Sequence, residues 1–197
     1  MDQNNEITSH TTLVGMNPEK VLPHGPTKLY VDEYIWHAPH IGIVASYTPK
    51  ERDVHDHFGI FRGVDQVESF AQATVVSCSA FLETKKMKLD YEEYYKTINV
   101  VALGLQKVFF KDIIRFGEKF ISIGAITFYK FRQMVATGRI YKAPVEMDLV
   151  SYFKEFSESR LRNYDISKDF TLAAEIHEVI IKGIKIDKMN FLQKIKP

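Results

Sequence analysis

His57-Phe58-Gly59-Ile60-Phe61-Arg62-Gly63-Val64-Asp65-Gln66-Val67-Glu68-Ser69-Phe70-Ala71-Gln72-Ala73 is the stretch on which the reading of this chain turns. From Gly63 to about Leu82, apolar residues recur at three- and four-residue steps. They are Val64, Val67, Ala71, Val75, Cys78 and Leu82, with Phe70, Thr74 and Phe81 widening the stripe. That period predicts a helix, and a helix apolar around so much of its girth has to be wrapped by something. A histidine in a glycine-punctuated loop precedes it, and one carboxylate, Glu68, interrupts its first turns.

The flanking sequence supplies the wrapping. Leu29–Trp36 and Ile41–Tyr47 are β-branched and aromatic, as strands prefer. Ile98–Phe110, Lys119–Arg132 and Val135–Lys142 continue the pattern, with Arg115-Phe116-Gly117-Glu118 as a separator and Thr137-Gly138 as a turn signal. The simplest assembly is α+β: one buried helix embraced by a long antiparallel sheet. A turn-rich Pro18–Pro26 with a short helical turn at Asn17–Val21 precedes it, and Asp90–Thr97 is a polar stretch. Residues 1–12 are polar and expected to be a flexible tail. The main domain then spans 13–147, and 148–197 is a C-terminal extension. Asp148 is placed to cap a helix from Leu149 to about Leu161. Asp169 is placed to cap a second, with Leu172, Ile176, Val179, Ile180 and Ile184 at helical spacing. The same residues also read as a strand through Leu172, Ala174 and Ile176; helix is the preferred reading.

Composition narrows the function. Lys plus Arg is 26 against 25 for Asp plus Glu, so no global charge argues for nucleic acid. The 14 Phe and 10 Tyr against one Trp fit a β-rich core or an apolar ligand channel. One cysteine, Cys78, excludes an intramolecular disulfide and suits a reducing compartment. No apolar run resembles a signal peptide or a membrane span, so the expectation is a soluble, cytoplasmic protein.

Three residues carry the chemistry. At about 100° per residue, Glu68 sits about 40° from Val64 and about 20° from Val75, on the edge of the apolar stripe. A carboxylate there loses hydration, which predicts a raised pKa and a proton held near neutral pH. The alternative is an edge residue that reaches solvent or pairs with a lysine. His57 is expected at a strand-to-loop transition, where a neutral imidazole suits proton removal from carbon. Asp53, His55 and His57 alternate, a thin pattern for a metal, and none is expected. The Gly63 N–H would be free at the helix start, where a developing oxyanion is favoured; the plainer role is a tight loop-to-helix turn. Arg62 beside it is placed to bind a carboxylate or phosphate.

Taken together, His57-Phe58-Gly59 and Gly63-Val64-x-x-Val67-Glu68-x-Phe70-Ala71-Gln72-Ala73 resemble the hot-dog-fold 3-hydroxyacyl acyl-carrier-protein dehydratases. Their His-Phe-Pro-Gly loop leads to a Pro-Gly helix start and a Glu followed by Ala-x-Ala-Gln. Leu22-Pro23-His24-Gly25-Pro26-Thr27-Lys28-Leu29-Tyr30-Val31-Asp32 is similar to the family's Leu-Pro-His opening. Lys107-Val108-Phe109-Phe110-Lys111 with Gly117-Glu118 is similar to its following strand and turn. The likeness runs from about Val21 to Lys142. The His57-to-Glu68 loop departs from it, three residues short and without the expected prolines, and the Phe128–Val135 hairpin is shortened.

The resemblance implies that His57 is the base at C2, that Glu68 protonates the departing 3-hydroxyl and that the Gly63 N–H polarises the thioester carbonyl. It implies a homodimer or an assembly of dimers, with His and Glu of one site from different subunits. No cofactor is implied beyond the phosphopantetheine of an acyl carrier protein, which Lys85, Lys86, Lys107, Lys111 and Arg115 are candidates to meet. The competing readings are a hot-dog thioesterase and a catalytically silent acyl-binding or scaffolding subunit.

Overall fold

The computed structural model describes residues 10–186. Its sheet is built from a β1–β2 hairpin (Glu33–Ala38 and Gly42–Tyr47), β6 (Phe120–Lys130), β7 (Gln133–Lys142), β8 (Thr171–Lys185) and β4 (Ile98–Phe110). The six strands run antiparallel in the order β1-β2-β6-β7-β8-β4. Across the inner face lies the predicted helix, as α3 (Gly63–Ala71), a π-helical turn (Gln72–Val76) and α4 (Ser77–Met87). This is the hot-dog fold: a central helix wrapped by an antiparallel sheet.

Alternation along the strands sorts the side chains. Ile43, Ala45 and Tyr47 of β2 face the helix side with Phe120, Ile126, Met134 and Ile140. Val44, Ile121, Ile123 and Tyr141 face outward. Two glycines let the helix come close. A Cβ at Gly138 would sit 2.6 Å from the Phe70 ring, and one at Gly124, opposite Gly138 in the register, 2.2 Å from Thr74 Cγ2. Thr137-Gly138 is therefore not a turn but a helix-contact point inside β7, because only a residue without a side chain admits Phe70 there.

Where one helix was expected from Leu149 to about Leu161, there are two short ones: α6 (Leu149–Phe153), capped by Asp148 as expected, and α7 (Glu158–Asn163), capped anew by Ser157. Leu149, Phe153, Phe156 and Leu161 cover the outer face of the sheet. The second predicted helix is instead β8, lying between β7 and β4. Helical spacing arises in this strand because β8 contains a bulge at His177-Glu178, with Glu178 at φ 52°. The bulge turns a period of two into a step of three: Ala174 and Ile176 face the core before it, Val179 and Ile181 after it.

The shorter elements complete the frame. Helix α1 (Pro18–Val21) is capped by Asn17 where a helical turn was expected. The polar stretch after Asp90 is helix α5 (Tyr91–Thr97). The β6–β7 connection is a two-residue turn with Phe131 and Arg132 both at positive φ, the tight geometry that matches strand twist. Most of the expected N-terminal tail lies outside the described residues; within them, Thr12 bonds to the His37 carbonyl. Among the described residues no helix is long and apolar enough to cross a membrane.

Candidate functional site

The loop carrying His57 is built differently from the expectation. Helix α2 (Glu51–Val54) runs into a 3-10 turn, His55–His57, so no strand leads into the histidine. Asp53 is buried and bound by the Tyr47 hydroxyl (2.5 Å) and the Lys50 N–H (2.8 Å), which fixes the turn. Phe58 and Gly59 follow at φ 55° and 74°, reversing the chain into β3 (Ile60–Phe61). β3 pairs with β5 (Ile114–Arg115), and the Phe116 N–H reaches the Gly59 carbonyl, so the segment after β4 holds the loop. His57 is half-buried at a polar recess of about 220 Å³ shared with Lys28, Tyr30, Arg52 and Arg62. Asp53, His55 and His57 do not form a metal-ligand group; none of three or more such residues occurs among the described residues.

The helix start is as the sequence implied. Arg62 is the N-cap and gives no side-chain bond to the first-turn amides. Its guanidinium is turned to Asp65 instead, at 2.5 and 3.0 Å, so the anion-binding role read for Arg62 is met by its own chain. Gly63 packs under the Phe110 ring, where a Cβ would come within 2.6 Å of Cζ.

Glu68 is where the structure corrects the sequence most. Its carboxylate is half-exposed and held by two neighbours: His24 Nε2 at 3.4 Å from Oε1, and Gln72 Nε2 donating to Oε1 at 2.9 Å. The His24 contact chiefly, with Gln72 and Lys28, pulls the Glu68 pKa below the ordinary carboxylate value. Burial pushes the other way and loses. The predicted raised pKa is thus reversed, because the carboxylate found donors that helical phase does not reveal.

Two residues that hold the site went unassigned in the sequence. Gln72 accepts from the Tyr30 N–H (2.9 Å) and donates to the Lys28 carbonyl (2.8 Å), while Ser69 Oγ donates to the Tyr30 carbonyl (2.7 Å). They lay Lys28–Tyr30 along α3, in the segment from which His24 reaches Glu68. Their signal was present: Gln72 stands four residues after Glu68, on the same helix face.

Within one chain, His57 and Glu68 are not joined by any hydrogen bond or ion pair among the described residues; the partners of Glu68 are His24 and Gln72. Large apolar side chains stand exposed around the loop and the helix start: Phe58 (99%), Val64 (67%), Phe116 (59%) and Phe110 (51%). The larger groove of about 910 Å³ lies elsewhere, between α1 and α5, and includes none of the three candidates. Of the candidate cations, Lys107 and Lys111 flank the Phe109 ring at 4.4 and 5.1 Å, and Lys85 lies over Phe81 at 5.0 Å.

No family model and no curated protein sequence matches the chain. Among solved structures it is similar to a chain of the dehydratase heterocomplex ApeI:P from Xenorhabdus doucetiae. Identity is 13%, coverage 92% of this chain and 99% of that one, and the TM-score 0.63. A weaker similarity is to zebrafish thioesterase superfamily member 2, at 10% identity, coverage of 77% and 79%, and a TM-score of 0.46. At these identities the first likeness shows the shared fold, in agreement with the sheet order and wrapped helix.

Proposed function

We propose that this chain processes acyl thioesters in a site completed by two hot-dog subunits, and that its reaction is elimination of water from a 3-hydroxyacyl thioester carried on an acyl carrier protein. The observation that carries the reading is the placement of Glu68. It is an anchored carboxylate on the wrapped helix, five residues beyond the uncapped helix start at Gly63, and Phe58, Phe110 and Phe116 stand exposed around that start and the His57 loop. An apolar patch of this kind around polar groups is what a second subunit would bury. The likeness to a chain of a dehydratase complex supports the same choice.

In the proposed step His57 of one subunit takes the C2 proton. The Gly63 N–H stabilises the enolate oxygen of the thioester, and the C3–O bond then breaks as the protonated form of the other subunit's Glu68, a minority form at neutral pH, supplies a proton to the leaving hydroxyl. Elimination needs all three groups within reach of one another, because the C2 proton is only weakly acidic. Products are the trans-2-enoyl thioester and water.

One observation favours a second reading. Glu68 is held toward its ionised form, which suits a base activating water, and hydrolysis of the thioester would follow. Mass spectrometry of a 3-hydroxyacyl carrier thioester incubated with the protein separates the readings. Loss of one water supports dehydration, and release of free acid would replace it with hydrolysis. An intact thioester that co-purifies with the protein would make the chain a binding subunit.

A further inference from the structure

His24 has no assigned role, yet it is the group that touches Glu68 from outside the central helix. It reaches Oε1 at 3.4 Å through Nε2, while its Nδ1 is buried with no hydrogen-bond partner. Nε2 is thus the ring atom that faces Glu68, within ion-pair distance. Gln72 and Ser69 bond the backbone of Lys28 and Tyr30, which ties the following part of the same segment to the helix.

We propose that His24 is a positioning residue for Glu68: it aims the carboxylate and sets the pH at which that carboxylate titrates. The inference rests on Glu68 being the carboxylate of the site. The charged groups acting on Glu68 are His24 and Lys28, both from the segment laid across the helix, with the neutral Gln72 amide on its own helix. The direction does not depend on the reaction. If Glu68 works as an acid, activity is lost as pH rises through its pKa; if as a base, activity is lost as pH falls through it. In both cases removing the His24 contact moves that limb to higher pH.

The test compares the full-length protein with His24→Phe, His24→Gln and Glu68→Gln. Two readouts are used: the pH profile of thioester turnover, and the carboxyl carbon titration of Glu68 by NMR, its signal identified by its absence in Glu68→Gln. The expected result is an upward shift of the Glu68 titration and of the matching activity limb in His24→Phe. In His24→Gln, whose amide can still donate, the shift is smaller. A Glu68 titration unchanged in folded His24→Phe overturns the proposal. Should phenylalanine disrupt the fold, His24→Ser at this partly exposed position carries the same comparison. Full activity in Glu68→Gln would instead remove the site reading, while the carboxyl titration still decides whether His24 governs Glu68.

Discussion

At the scale of single residues, the chain shows how far a side chain's neighbours outweigh its position on a helix. Helical phase placed Glu68 at the edge of the apolar stripe and implied a protonated carboxyl. His24 and Gln72 reverse that, and neither contact is visible without the fold. Replacing Glu68 with Gln, or His57 with Ala, should lower water elimination by about 10²- to 10⁴-fold each. Neither side chain is buried in the core, so thermal melts should stay near wild type. A second residue-scale prediction concerns stability. His37 is buried, and its Nδ1 accepts from the Leu13 N–H at 3.1 Å, so it folds as a neutral ring. Burial chiefly, with His40, pushes its pKa from 6.5 down to about 4. The unfolded chain takes up this proton near pH 6.5 and the folded chain does not. The contribution is therefore whole above pH 6.5 and drains away as pH falls toward 4, by up to about 3 kcal/mol. Chemical denaturation at pH 7 and pH 4.5 checks it: His37→Asn, which keeps an acceptor for Leu13, should lose much of the slope between them.

At the scale of elements, the central helix was legible because its apolar stripe is long and regular, and β4, β6 and β7 because β-branched and aromatic residues crowd them. The misreadings share one cause: local signals that tertiary packing overrode. The Thr137-Gly138 pair looked like a turn because glycine in a strand is uncommon, when it was there to admit Phe70. The β8 sequence looked helical because one bulge at His177-Glu178 reset its alternation. The site was less legible than the fold. His57, Gly63 and Glu68 could be singled out, but the 3-10 turn under His57 and the clamp by Gln72 depend on segments distant in sequence. The helix-to-sheet contact is open to test. Phe70 is fully buried, and Phe70→Ala should destabilise the protein by about 3–5 kcal/mol in urea or guanidinium titration. Gly124→Val should be destabilising as well, since the added atoms meet Thr74 at 2.2 Å and the helix cannot stay where it is. A variant as stable as the wild type would mean that the helix is not seated on these glycines.

At the scale of the whole molecule, one edge of the sheet stands out. β4 is a 13-residue terminal strand that, among the described residues, pairs only with β8 and exposes Leu103 (53%), Leu105 (41%) and Phe110 (51%). A long apolar edge is a pairing surface unless something covers it. We expect a second copy to cover it. Leu103→Asp costs little in the single chain, where the side chain is half-exposed, and should convert a dimer to a monomer by sedimentation velocity with loss of turnover. The central claim, a site shared between two chains, is tested most directly by mixing inactive variants. His57→Ala and Glu68→Gln are purified separately, then unfolded and refolded together. Each alone is expected to be inactive. Random pairing in a two-fold dimer gives half mixed dimers, each with one intact site, so about a quarter of wild-type activity should return. A mixture that dimerises yet stays inactive would contradict a shared site.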